Sequence, residues 1–493
     1  MKSITLIFPH QLFTDHPALA ADRPVYLVEL AYFFTRYKFH KHKLILHRAS
    51  MQDYAQSLQR QGYNVTYFEY NDAPTITSLI NKLSKNNIRE LHYTELIETE
   101  LIDELLITAS KQDLELFAYE SPYFMSDRKL LEEFFKPQKK QYLMASFYRK
   151  QRISLDILVT KAGKPIGGSW SYDALNRERL KNNVAAPRVP RITKTEFVKN
   201  AITWVDLKFA DNPGKSATFL YPTNHKQAQA WLKNFIEKRF ALFGPYQDAI
   251  DKENSVLFHS VLTPILNIGL LTPRHIIDTA LAYTYKHKVP LQSTEGFIRQ
   301  IIGWREYMYG MYLFHGKKQK KSNFFKHTRS IPKSFWNGAT GIMPLDQTIQ
   351  KVVADSYAHH IERLMVLGNF MLLCQFNPQQ VYDWFMELFV DAYDWVMTPN
   401  VFGMSQYADG GLIATKPYIC GSNYILKMSN YQKGAWCKQW DALFWHFIDT
   451  NIKTFSSNSR CAFMVRSLER MNTKKRQEHT ACARRFLKLI TKQ

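Results

Sequence analysis

The pattern of apolar and polar positions changes along the chain, and its first part alternates short apolar runs with longer mixed segments. Between these runs lie stretches with helical spacing, such as MQDYAQSLQRQGY and ITSLINKLSKNN. This alternation predicts βαβ units, which form a parallel, Rossmann-like sheet with helices on both faces. No G-x-G-x-x-G follows the first run, so the dinucleotide fingerprint is missing. The predicted strands are SITLIFPHQL, PVYLVEL, KLILHRAS, NVTYFEY, IRELHYTE and LELFAYE.

The periodic pattern breaks up between about residues 123 and 222. The segment GKPIGGSWSYDALNRERLKNN has the glycine, proline, serine and asparagine content of a loop, and AAPRVPRITKTEF continues it. A loop of this length usually connects domains or carries function. Its basic residues are Arg177, Arg179, Lys181, Arg188 and Arg191.

Beyond about residue 225 almost every apolar pattern has helical spacing. HKQAQAWLKNFIEKRFALFG, TPRHIIDTALAYTYKH and EGFIRQIIGWREYMYGMYLFHG all show a period near 3.6 residues. Strand signals are scarce in this part of the sequence. It therefore predicts an all-α domain built around residues 295–425.

The stretch 357–411 combines apolar faces with polar residues that suit chemistry. Apolar spacing predicts an amphipathic helix in its first half, with His359, His360 and Arg363 on a neighbouring face. Asn377 and Pro378 supply a cap and a first-turn proline for a second helix, which carries Trp384. We interpret the segment 391–411, with its carboxylates and glycines, as a loop around a ligand. The apolar positions of the first helix are Ile361, Leu364, Met365, Gly368 and Leu372.

Composition narrows the class of protein. The chain has 493 residues, 45% of them hydrophobic, which is typical of a globular protein with several domains. No run of about 18 apolar residues occurs and the N-terminus lacks a cleavage site, so we expect neither a membrane span nor a signal peptide. A cytoplasmic location is the default expectation.

A net charge of +22 favours an acidic partner: nucleic acid, an anionic membrane surface or phosphorylated ligands. A generally basic proteome is the alternative. Two regions concentrate the charge. GKKQKKSNFFKHTR interleaves lysines with Phe324 and Phe325, which suits phosphates and exposed bases. The C-terminal RCAFMVRSLERMNTKKRQEHTACARRFLKLITKQ is a basic amphipathic helix pattern, which also fits a solvated helix docked on the core.

Several residue types in the helical part invite a chemical interpretation beside a structural one. The tandem His359-His360 does not suit one metal, because helix neighbours point about 100° apart, and HExxH is absent. Either histidine beside Arg363 suits a general acid, or else a hydrogen-bonded structural role. The tryptophans Trp304, Trp336, Trp384 and Trp395 suit core packing or electron transfer. HSVLTPILNIGLLTP suits a phosphate site at a helix start, or an ordinary capped helix.

Longer motifs give the chain a family resemblance. LFHSVLTPILNIGLLTP, EGFIRQIIGWREYMYG, YAHHIERLMVLGNF, DAYDWVMTPNVFGMSQYADGG and KPYICGSNYILKMSNY together resemble the prokaryotic photolyase/cryptochrome subfamily. SFYRKQR and GKPIGGSWSYDALNR extend the resemblance nearly end to end. It implies an α/β antenna domain at residues 1–125, an interdomain linker at 126–224 and a helical FAD-binding domain at 225–493.

The resemblance also implies a chemistry. Relatives of this branch repair (6-4) photoproducts in DNA with blue light, and an electron passes from reduced FAD to a flipped lesion. By resemblance, the catalytic residues are His359, His360, Arg363, Tyr418 and Tyr424, with His360 as the proton donor. The electron-transfer residues are Trp336 and Trp384. The FAD-binding residues are Tyr246, His259, Ser260, Val261, Leu262, Gln300, Gly303, Trp304, Arg305, His360, Arg363, Asp391, Tyr393, Met397 and Asn400.

The sequence departs from the family pattern in three places. The iron–sulfur cluster cysteines of relatives match Leu345, Gln432 and Ala435, and no two of the five cysteines show CxxC spacing, so we expect no cluster. Met397 matches a polar or acidic position near the flavin N5, and a thioether cannot exchange a proton there. The GDQL that helps relatives bind a 6,7-dimethyl-8-ribityllumazine antenna is replaced. The antenna candidates are Pro9, His10, Gln11, Leu12, Glu29 and Met51.

These observations support three hypotheses from different classes. The first is a (6-4) photolyase, a monomer that acts on UV-damaged DNA with non-covalent FAD. The second is a cryptochrome-type blue-light photoreceptor with the same fold and cofactor and no repair activity, since fold does not decide function. The third is a flavin-free basic nucleic-acid-binding protein. Repair of a lesion and uptake of FAD discriminate among them.

Overall fold

A computed structural model of the chain describes residues 2–72, 75–181 and 183–490. Its first part contains a five-stranded, wholly parallel sheet with the order β3-β2-β1-β4-β5. The strands are β1 (Lys2–Ile7), β2 (Val25–Val28), β3 (Val65–Phe68), β4 (Ile88–Thr94) and β5 (Glu115–Tyr119). The strand order reverses direction between β1 and β4, so the carboxyl ends of these two strands flank the crevice in which such sheets bind ligands.

Helices cover the sheet on both sides, and one of them corrects the sequence analysis. They are α1 (Ala31–Phe34), α2 (Lys41–Arg60), α3 (Ile76–Lys85) and α4 (Thr99–Lys111). The predicted strand KLILHRAS is wrong, because it forms the first turns of α2. Residues 42–51 of this helix are buried on nearly every side. A short apolar run does not distinguish a buried strand from a fully buried helix by periodicity.

The middle of the chain is mostly irregular. Among the described residues from 155 to 195, regular structure is limited to the 3₁₀ turn Asp173–Leu175 and an isolated bridge between Val159 and Pro165. The helices α5 (Arg128–Phe135), α6 (Met144–Ser154) and α7 (Glu196–Lys208) flank this segment, and a second 3₁₀ turn follows at Ser216–Thr218. Helix α7 packs along α2, so the middle segment is bound to the sheet region.

The rest of the chain is helical, as the spacing predicts. The first half of this region contains α8 (His225–Lys238), a 3₁₀ turn (Phe240–Leu242), α9 (Phe243–Tyr246), α10 (Thr263–Leu266), α11 (Pro273–His287), α12 (Leu291–Ile298), α13 (Glu306–Lys320), α14 (Ser334–Asn337) and α15 (Met343–Asp355). The second half contains α16 (Asn369–Leu373), α17 (Pro378–Leu388), α18 (Asp394–Thr398), α19 (Ser422–Met428), α20 (Ala435–Thr450), α21 (Ile452–Ser456), α22 (Ala462–Glu469) and α23 (Thr473–Ile490). No described helix has the length and apolar content that a membrane span requires.

Three π-helical segments interrupt the α-helices of this region: Arg299–Arg305, Glu362–Gly368 and Pro399–Ser405. All three fall within motifs that the sequence analysis singled out. Rare π-helical turns occur frequently at functional sites, because the wider turn redirects side chains. They also explain why α-helical spacing was an imperfect guide here.

The stretch 357–411 therefore differs from its prediction in two respects. Its first helix is not amphipathic, because the residues from Leu364 to Leu373 are all buried. The segment predicted as a ligand loop is mostly helical, since α18 and a π-helical segment occupy residues 394–405. The second helix is confirmed: Asn377 caps α17 by accepting a hydrogen bond from the Gln379 amide, and Pro378 follows in the first turn.

Two large apolar cores hold the molecule together. One joins the sheet to helices α8 through α13, and the other fills the region between residues 331 and 490. The basic C-terminal helix α23 docks on α20 through an apolar stripe and leaves most of its basic side chains exposed. Of its two interpretations, docking on the core is the one observed.

Candidate active site

The tandem histidines at residues 359 and 360 lie in different surroundings. The carbonyl of His359 accepts the Arg363 amide as the helix begins, and its imidazole stacks on His259 with ring centroids 4.3 Å apart. His359 is buried, whereas His360 is exposed. His360 is therefore the histidine of the pair that a ligand can reach.

Arg363 and Asp391 form a charge pair beside His360. Both guanidinium nitrogens Nη1 and Nη2 donate to the carboxylate, at 2.9 and 3.0 Å, in a bidentate arrangement. The Nε atom of Arg363 donates to the Ala358 carbonyl at 2.6 Å, and Thr263 donates its hydroxyl to Asp391. The ring of Phe389 lies 4.3 Å below the guanidinium. All three nitrogens of the Arg363 guanidinium donate to protein oxygens, so its charge is held in one place.

Asn267 connects this pair to a second buried arginine. Its side-chain nitrogen donates to the carbonyl of Asp391 at 3.0 Å, and its oxygen accepts a hydrogen bond from Arg305. The guanidinium of Arg305 lies 4.5 Å from the ring of Tyr123 and 4.6 Å from that of Trp395. Burial lowers the pKa of Arg305. Asp391 thus lies between two arginines, one bonded to its carboxylate and the other connected through Asn267.

His360 is exposed and yet surrounded by protein. Its ring lies 6.1 Å from Trp304, edge to face. The surrounding protein and the charges of Arg363 and Arg299 together lower the pKa of His360 to about 4, while Asp173 acts in the opposite direction. At neutral pH the imidazole is uncharged, and it needs an added negative charge nearby to hold a second proton.

A buried ion pair lies on the other side of His359. Lys351 donates to Glu362 at 2.6 Å and also to the backbone carbonyl of Asp251. The imidazole Nε2 of His359 lies 3.5 Å from the other oxygen of Glu362. Burial lowers the pKa of His359 far below its usual value, so it stays neutral. This arrangement supports the turn that precedes His360 and leaves His359 away from solvent.

The linker contributes charged residues that the sequence analysis did not select as site residues. Asp173 accepts hydrogen bonds from Arg177 at 2.5 Å and from Arg299 at 3.0 Å, which ties the 3₁₀ turn of the linker to the helical core. Burial raises the pKa of Asp248 to about 7, helped by the charge of Asp173. The signal in the sequence was the length of the loop itself, which marked it as functional or connecting without saying which residues face the site.

Tyr418 and Tyr424 face this charged group. Both are partly exposed, and burial is the main reason that both phenol pKa values are raised. Asp173 and Arg177 act on Tyr418, while Asp248 and Arg177 act on Tyr424. Both hydroxyls keep their protons at neutral pH, and so both are available as hydrogen-bond donors.

The tryptophans Trp384 and Trp336 occupy inner and outer positions. Trp384 is fully buried, and its indole nitrogen donates to the Phe335 carbonyl at 3.0 Å. Trp336 is partly exposed and donates to Glu387 at 3.3 Å. The two indoles are thus connected through residues adjacent in sequence, and Phe389 lies between Trp384 and Arg363.

The residues predicted to hold FAD are divided between accessible and buried positions. Gly303 lies so close to the Tyr148 ring that a β-carbon there would meet it at 2.9 Å. Val261 has a φ of 52°, a strained conformation for a β-branched residue and one that occurs mainly at functional sites. Leu262 is buried. The partly exposed members are Ser260, Gln300, Trp304, Arg363 and Asn400.

Three further FAD candidates lie in or beside α18. The hydroxyl of Tyr393 bonds the His47 ring at 3.1 Å, so this residue faces the sheet region. Asn400 donates to the Val396 carbonyl one turn earlier. Met397 is buried among the apolar side chains of the second core. Of these three, Asn400 is the one with accessible surface.

Tyr246 marks a separate recess beneath the linker. Its ring packs against Phe258 at 5.4 Å, and the partly buried linker residues Leu180 and Val184 cover this small apolar cluster. A cavity of about 510 Å³ lies beside it, bordered by the linker and by polar groups that include Asp251. The linker therefore closes over one flank of the helical region.

The antenna candidates lie at the carboxyl edge of the sheet and are fully buried. Glu29 accepts hydrogen bonds from Arg48, from the Tyr67 hydroxyl and from the Tyr70 amide, which uses its lone pairs. His10 lies 3.5 Å from Glu98, and neither side chain has a hydrogen-bond partner. The other candidates, buried in the same way, are Pro9, Gln11, Leu12 and Met51.

The histidine, cysteine and carboxylate side chains are dispersed. Within the described ranges, no three histidine, cysteine, aspartate or glutamate side chains come together so as to hold a metal ion. All five cysteines are free thiols, and four of them are buried. The positions matched to cluster ligands in relatives are Leu345, Gln432 and Ala435.

Comparisons with known proteins agree with this geometry. A family described as deoxyribodipyrimidine photo-lyase-related protein matches residues 5–221. The (6-4) photolyase of Agrobacterium fabrum (strain C58 / ATCC 33970) is 33% identical over 509 residues, which covers 99% of this chain and 100% of that protein. The chain therefore belongs to the photolyase/cryptochrome family, in the branch of the photolyase-related proteins.

Solved structures confirm the fold. A bacterial class III photolyase from Agrobacterium tumefaciens superposes with a TM-score of 0.60 at 16% identity, over 100% of this chain and 98% of that one. A cryptochrome from Synechocystis sp. PCC6803 superposes with a TM-score of 0.59 at 13% identity, over 97% and 94% of the two chains. The predicted fold, an α/β domain followed by an all-α domain, is that of photolyases and cryptochromes.

Proposed function

We propose that this protein is a light-driven DNA lyase that splits pyrimidine–pyrimidone (6-4) photoproducts with a non-covalently bound FAD. The full-length similarity to a (6-4) photolyase supports the reaction. The observation that carries the proposal is the position of His360, which is exposed beside Trp304 and next to the fixed Arg363–Asp391 pair. A reactive imidazole, an aromatic wall and a held positive charge are the parts that this reaction needs.

The residues around His360 suit the flavin. Arg363, Gln300, Trp304, Ser260 and Asn400 retain accessible surface in the otherwise buried core, and they would hold the cofactor. When bound and reduced, FAD supplies an electron to the lesion on absorbing blue light. Arg363, fixed by Asp391, supplies a positive charge that does not move when negative charge appears nearby, which is the arrangement that stabilises such charge most strongly.

His360 is assigned the proton transfer to the lesion. Its pKa of about 4 leaves it neutral in the free protein. The phosphates of a bound strand bring negative charge close to the ring, which favours the protonated imidazole, as Asp173 already does. DNA binding thus loads the proton onto an imidazole nitrogen of His360 where it is needed.

Tyr418 and Tyr424 are assigned to the lesion itself. Both are neutral phenols that keep their donor hydrogen at any physiological pH, because burial raises their pKa values. They lie beside Arg177, whose side chain is exposed and held by Asp173. A planar guanidinium in this position suits a phosphate of the extruded nucleotide. The net charge of +22 suits the rest of the damaged duplex.

The lumazine antenna and the iron–sulfur cluster of relatives have no part in the proposed function. The antenna candidates at the sheet edge are fully buried and Glu29 is hydrogen-bonded within the protein, so these residues do not fit a lumazine antenna. For the iron–sulfur cluster, the matched positions Leu345, Gln432 and Ala435 carry no thiol, and we propose a protein without one. We also propose the division into residues 1–125, 126–224 and 225–493, supported by the end of the last strand at Tyr119.

A photoreceptor without repair activity is the second candidate function, and Met397 favours it. This buried thioether occupies the position near the flavin N5 where relatives carry a polar or acidic residue. It cannot exchange a proton with the flavin. A signalling protein would use the same fold and cofactor, so repair activity is the property that separates the two functions.

The test is illumination of the reduced, FAD-loaded protein with oligonucleotides that carry either a (6-4) or a cyclobutane lesion. We expect intact pyrimidines from the (6-4) lesion alone. His360→Ala is expected to keep FAD, judged by its absorption spectrum, and to lose repair by at least about a hundredfold, as general acid catalysis contributes about 10² to 10⁴.

His275→Ala is the matched control, because this histidine is exposed on α11 and distant in sequence from the site. It should repair at the wild-type rate. Recovery from neither lesion by the wild-type protein would leave the photoreceptor function as the better candidate. Unchanged repair by His360→Ala would remove this residue from the proton transfer.

A further inference from the structure

Trp336 and Glu387 form a contact that has no part in the proposed chemistry at the lesion. The indole Nε1–H of Trp336, on α14, donates to an oxygen of Glu387, on α17, at 3.3 Å. Both side chains are partly exposed. The carboxylate is therefore within reach of the indole proton on one side and of water on the other.

The same helix connects this contact to the interior. Trp384 lies three residues before Glu387 on α17, and it is fully buried. Its own indole N–H donates to the backbone carbonyl of Phe335, the residue next to Trp336. A carbonyl oxygen of an amide is a very weak base. Trp384 therefore has no partner that can accept its proton, whereas Trp336 has a carboxylate.

The surroundings make Glu387 a better base than a free glutamate. Burial raises its pKa, and the negative charge of Asp383 on the preceding turn raises it further. The hydrogen bond from Trp336 and the nearby Lys38 act in the opposite direction and keep the charged form accessible. The geometry and the charges agree on a carboxylate aimed at the indole nitrogen.

We propose that Glu387 accepts the indole proton of Trp336 when this tryptophan is oxidised during light-driven reduction of the flavin. This inference rests on the proposed function, which supplies FAD as the oxidant. Light drives one electron from Trp384 to the flavin, and Trp336 refills Trp384. An oxidised indole is a far stronger acid than a neutral one, so the Nε1–H bond of Trp336 breaks and an O–H bond forms on Glu387.

The step ends in a neutral indole radical and a neutral carboxylic acid. Removal of the proton prevents the electron from returning, because Trp336 must recover both particles at once. An external thiol then restores Trp336 by giving it a hydrogen atom, and the resulting thiyl radicals combine into a disulfide. Glu387 releases its proton to water, so that atoms and electrons balance over the cycle.

The first experiment follows Trp336 by transient absorption after a light flash on the FAD-loaded protein. Glu387→Gln keeps the shape of the side chain and removes the base. We expect the conversion of the indole radical cation to the neutral radical to slow at least tenfold. The yield of flavin reduction in the presence of thiol should fall severalfold. Glu237→Gln, at an exposed glutamate on α8, is the matched control and should convert at the wild-type rate.

The wild-type protein offers a second measurement that needs no variant. Lowering the pH protonates Glu387 and should slow the same conversion, while Glu387→Gln should show no such pH dependence. The charged groups that face Glu387 are Asp383 and Lys38, and neither gains a proton from the indole in this scheme. An equal rate in wild type and Glu387→Gln at every pH would overturn the proposal.

A third arm works without FAD and separates this inference from the proposed function. Flavin-free protein is oxidised with a ruthenium polypyridyl photo-oxidant, and Trp336→Phe identifies the part of the radical signal that belongs to this residue. We expect Glu387→Gln to slow deprotonation of that part alone. If the slowing appears here and the protein takes up no FAD, the proposed function fails and the Glu387 assignment stands. If the rate is unchanged here, the Glu387 assignment fails whatever the flavin does.

Discussion

The sheet edge and the helical site both bury charged residues, and they deal with the charge in opposite ways. At the sheet edge, burial lowers the pKa of His10 to about 3 and of Lys43 to about 7, and raises that of Glu98 to about 8. These groups give up much of their charge. In the helical site, Arg363 and Asp391 remain charged and paired in a bidentate contact.

The difference follows from what each region exposes. Neutral side chains can be buried away from water, and His10, Glu98 and Lys43 are all at most 1% exposed. Pairing keeps a field of fixed direction next to His360, which is exposed. A region that binds and reacts needs the second solution, since neutral, closely packed groups offer neither charge nor space.

The two regions also touch. Lys43, on α2, donates to the carbonyl of Ala392, and its ammonium lies 4.6 Å from the ring of Tyr393. Tyr393 in turn bonds His47 on the same helix. The sheet region therefore supports the segment that carries Asp391 from the side of α2.

The pairing in the helical site predicts the largest effect on stability. Asp391→Asn keeps the size of the side chain and leaves the largely buried guanidinium of Arg363 without a counter-charge. Removing one partner of such a pair costs about 3 to 5 kcal/mol. We expect the free energy of unfolding to fall by that amount at pH 7, measured by urea denaturation.

Asp103→Asn is the matched control for this prediction. Asp103 pairs with Lys317 at 2.9 Å, but both side chains are more than half exposed. Exposed pairs contribute about 0 to 1 kcal/mol, so this variant should unfold like the wild type. Equal losses in the two variants would show that pairing does not distinguish the site from the surface.

Neutralisation at the sheet edge predicts a smaller effect that depends on pH. Glu98 has a pKa of about 8 in the folded protein and 4.5 ordinarily, so the folded state binds more protons than the unfolded state between these values. Stability therefore falls as pH rises through this window. Glu98→Gln removes the titration. We expect nearly equal stability at pH 5 and an advantage of about 2.5 kcal/mol for the variant at pH 7, which grows further toward pH 9 at up to about 1.4 kcal/mol per pH unit.

The measurement is the thermal unfolding of both proteins from pH 5 to pH 9. Asp391→Asn serves as the contrast, because at neutral pH it should lower the stability, whereas Glu98→Gln should already raise it. A wild-type protein whose stability relative to Glu98→Gln stays constant across this range would contradict a neutral Glu98. That result would mean that Glu98 is charged in the folded protein and that its surroundings stabilise the charge.

The sequence predicted the architecture well and failed where burial is complete. Alternating runs predicted the sheet. KLILHRAS has no polar side, so the spacing of its polar residues could not distinguish a helix from a strand. The same reason applies to residues 364–373, which are buried all round. Caps are local, and Asn377 with Pro378 therefore marked the start of α17 correctly.

The candidate site was predictable only in part, because pairing is a long-range property. Arg363 and Asp391 lie in one stretch of sequence, and both were selected through the resemblance. That they bond each other, and that Asp173 from the linker faces His360, depends on how distant segments pack. Spacing also gave no means to separate His359 from His360, whose exposure differs although they are neighbours.

Backbone strain predicts the smallest effect, and it also differs between the sheet region and the helical site. Among the described residues before 120, positive φ values on side chains other than glycine occur at Asn87 and Asp113, types that tolerate them. In the helical site Val261 adopts a φ of 52°. We compare Val261→Ala with Val261→Gly, since both remove the buried side chain and only glycine accepts this conformation without strain.

The left-handed conformation costs an ordinary residue about 1 to 2 kcal/mol, and glycine loses somewhat more chain entropy on folding. We therefore expect Val261→Gly to be more stable than Val261→Ala by about 1 kcal/mol in thermal unfolding. In a helix the order is the reverse, because glycine there is less stable than alanine by a similar amount. Alanine as the more stable variant at position 261 would mean that the backbone relaxes, and that the helical site stores no strain that the sheet edge lacks.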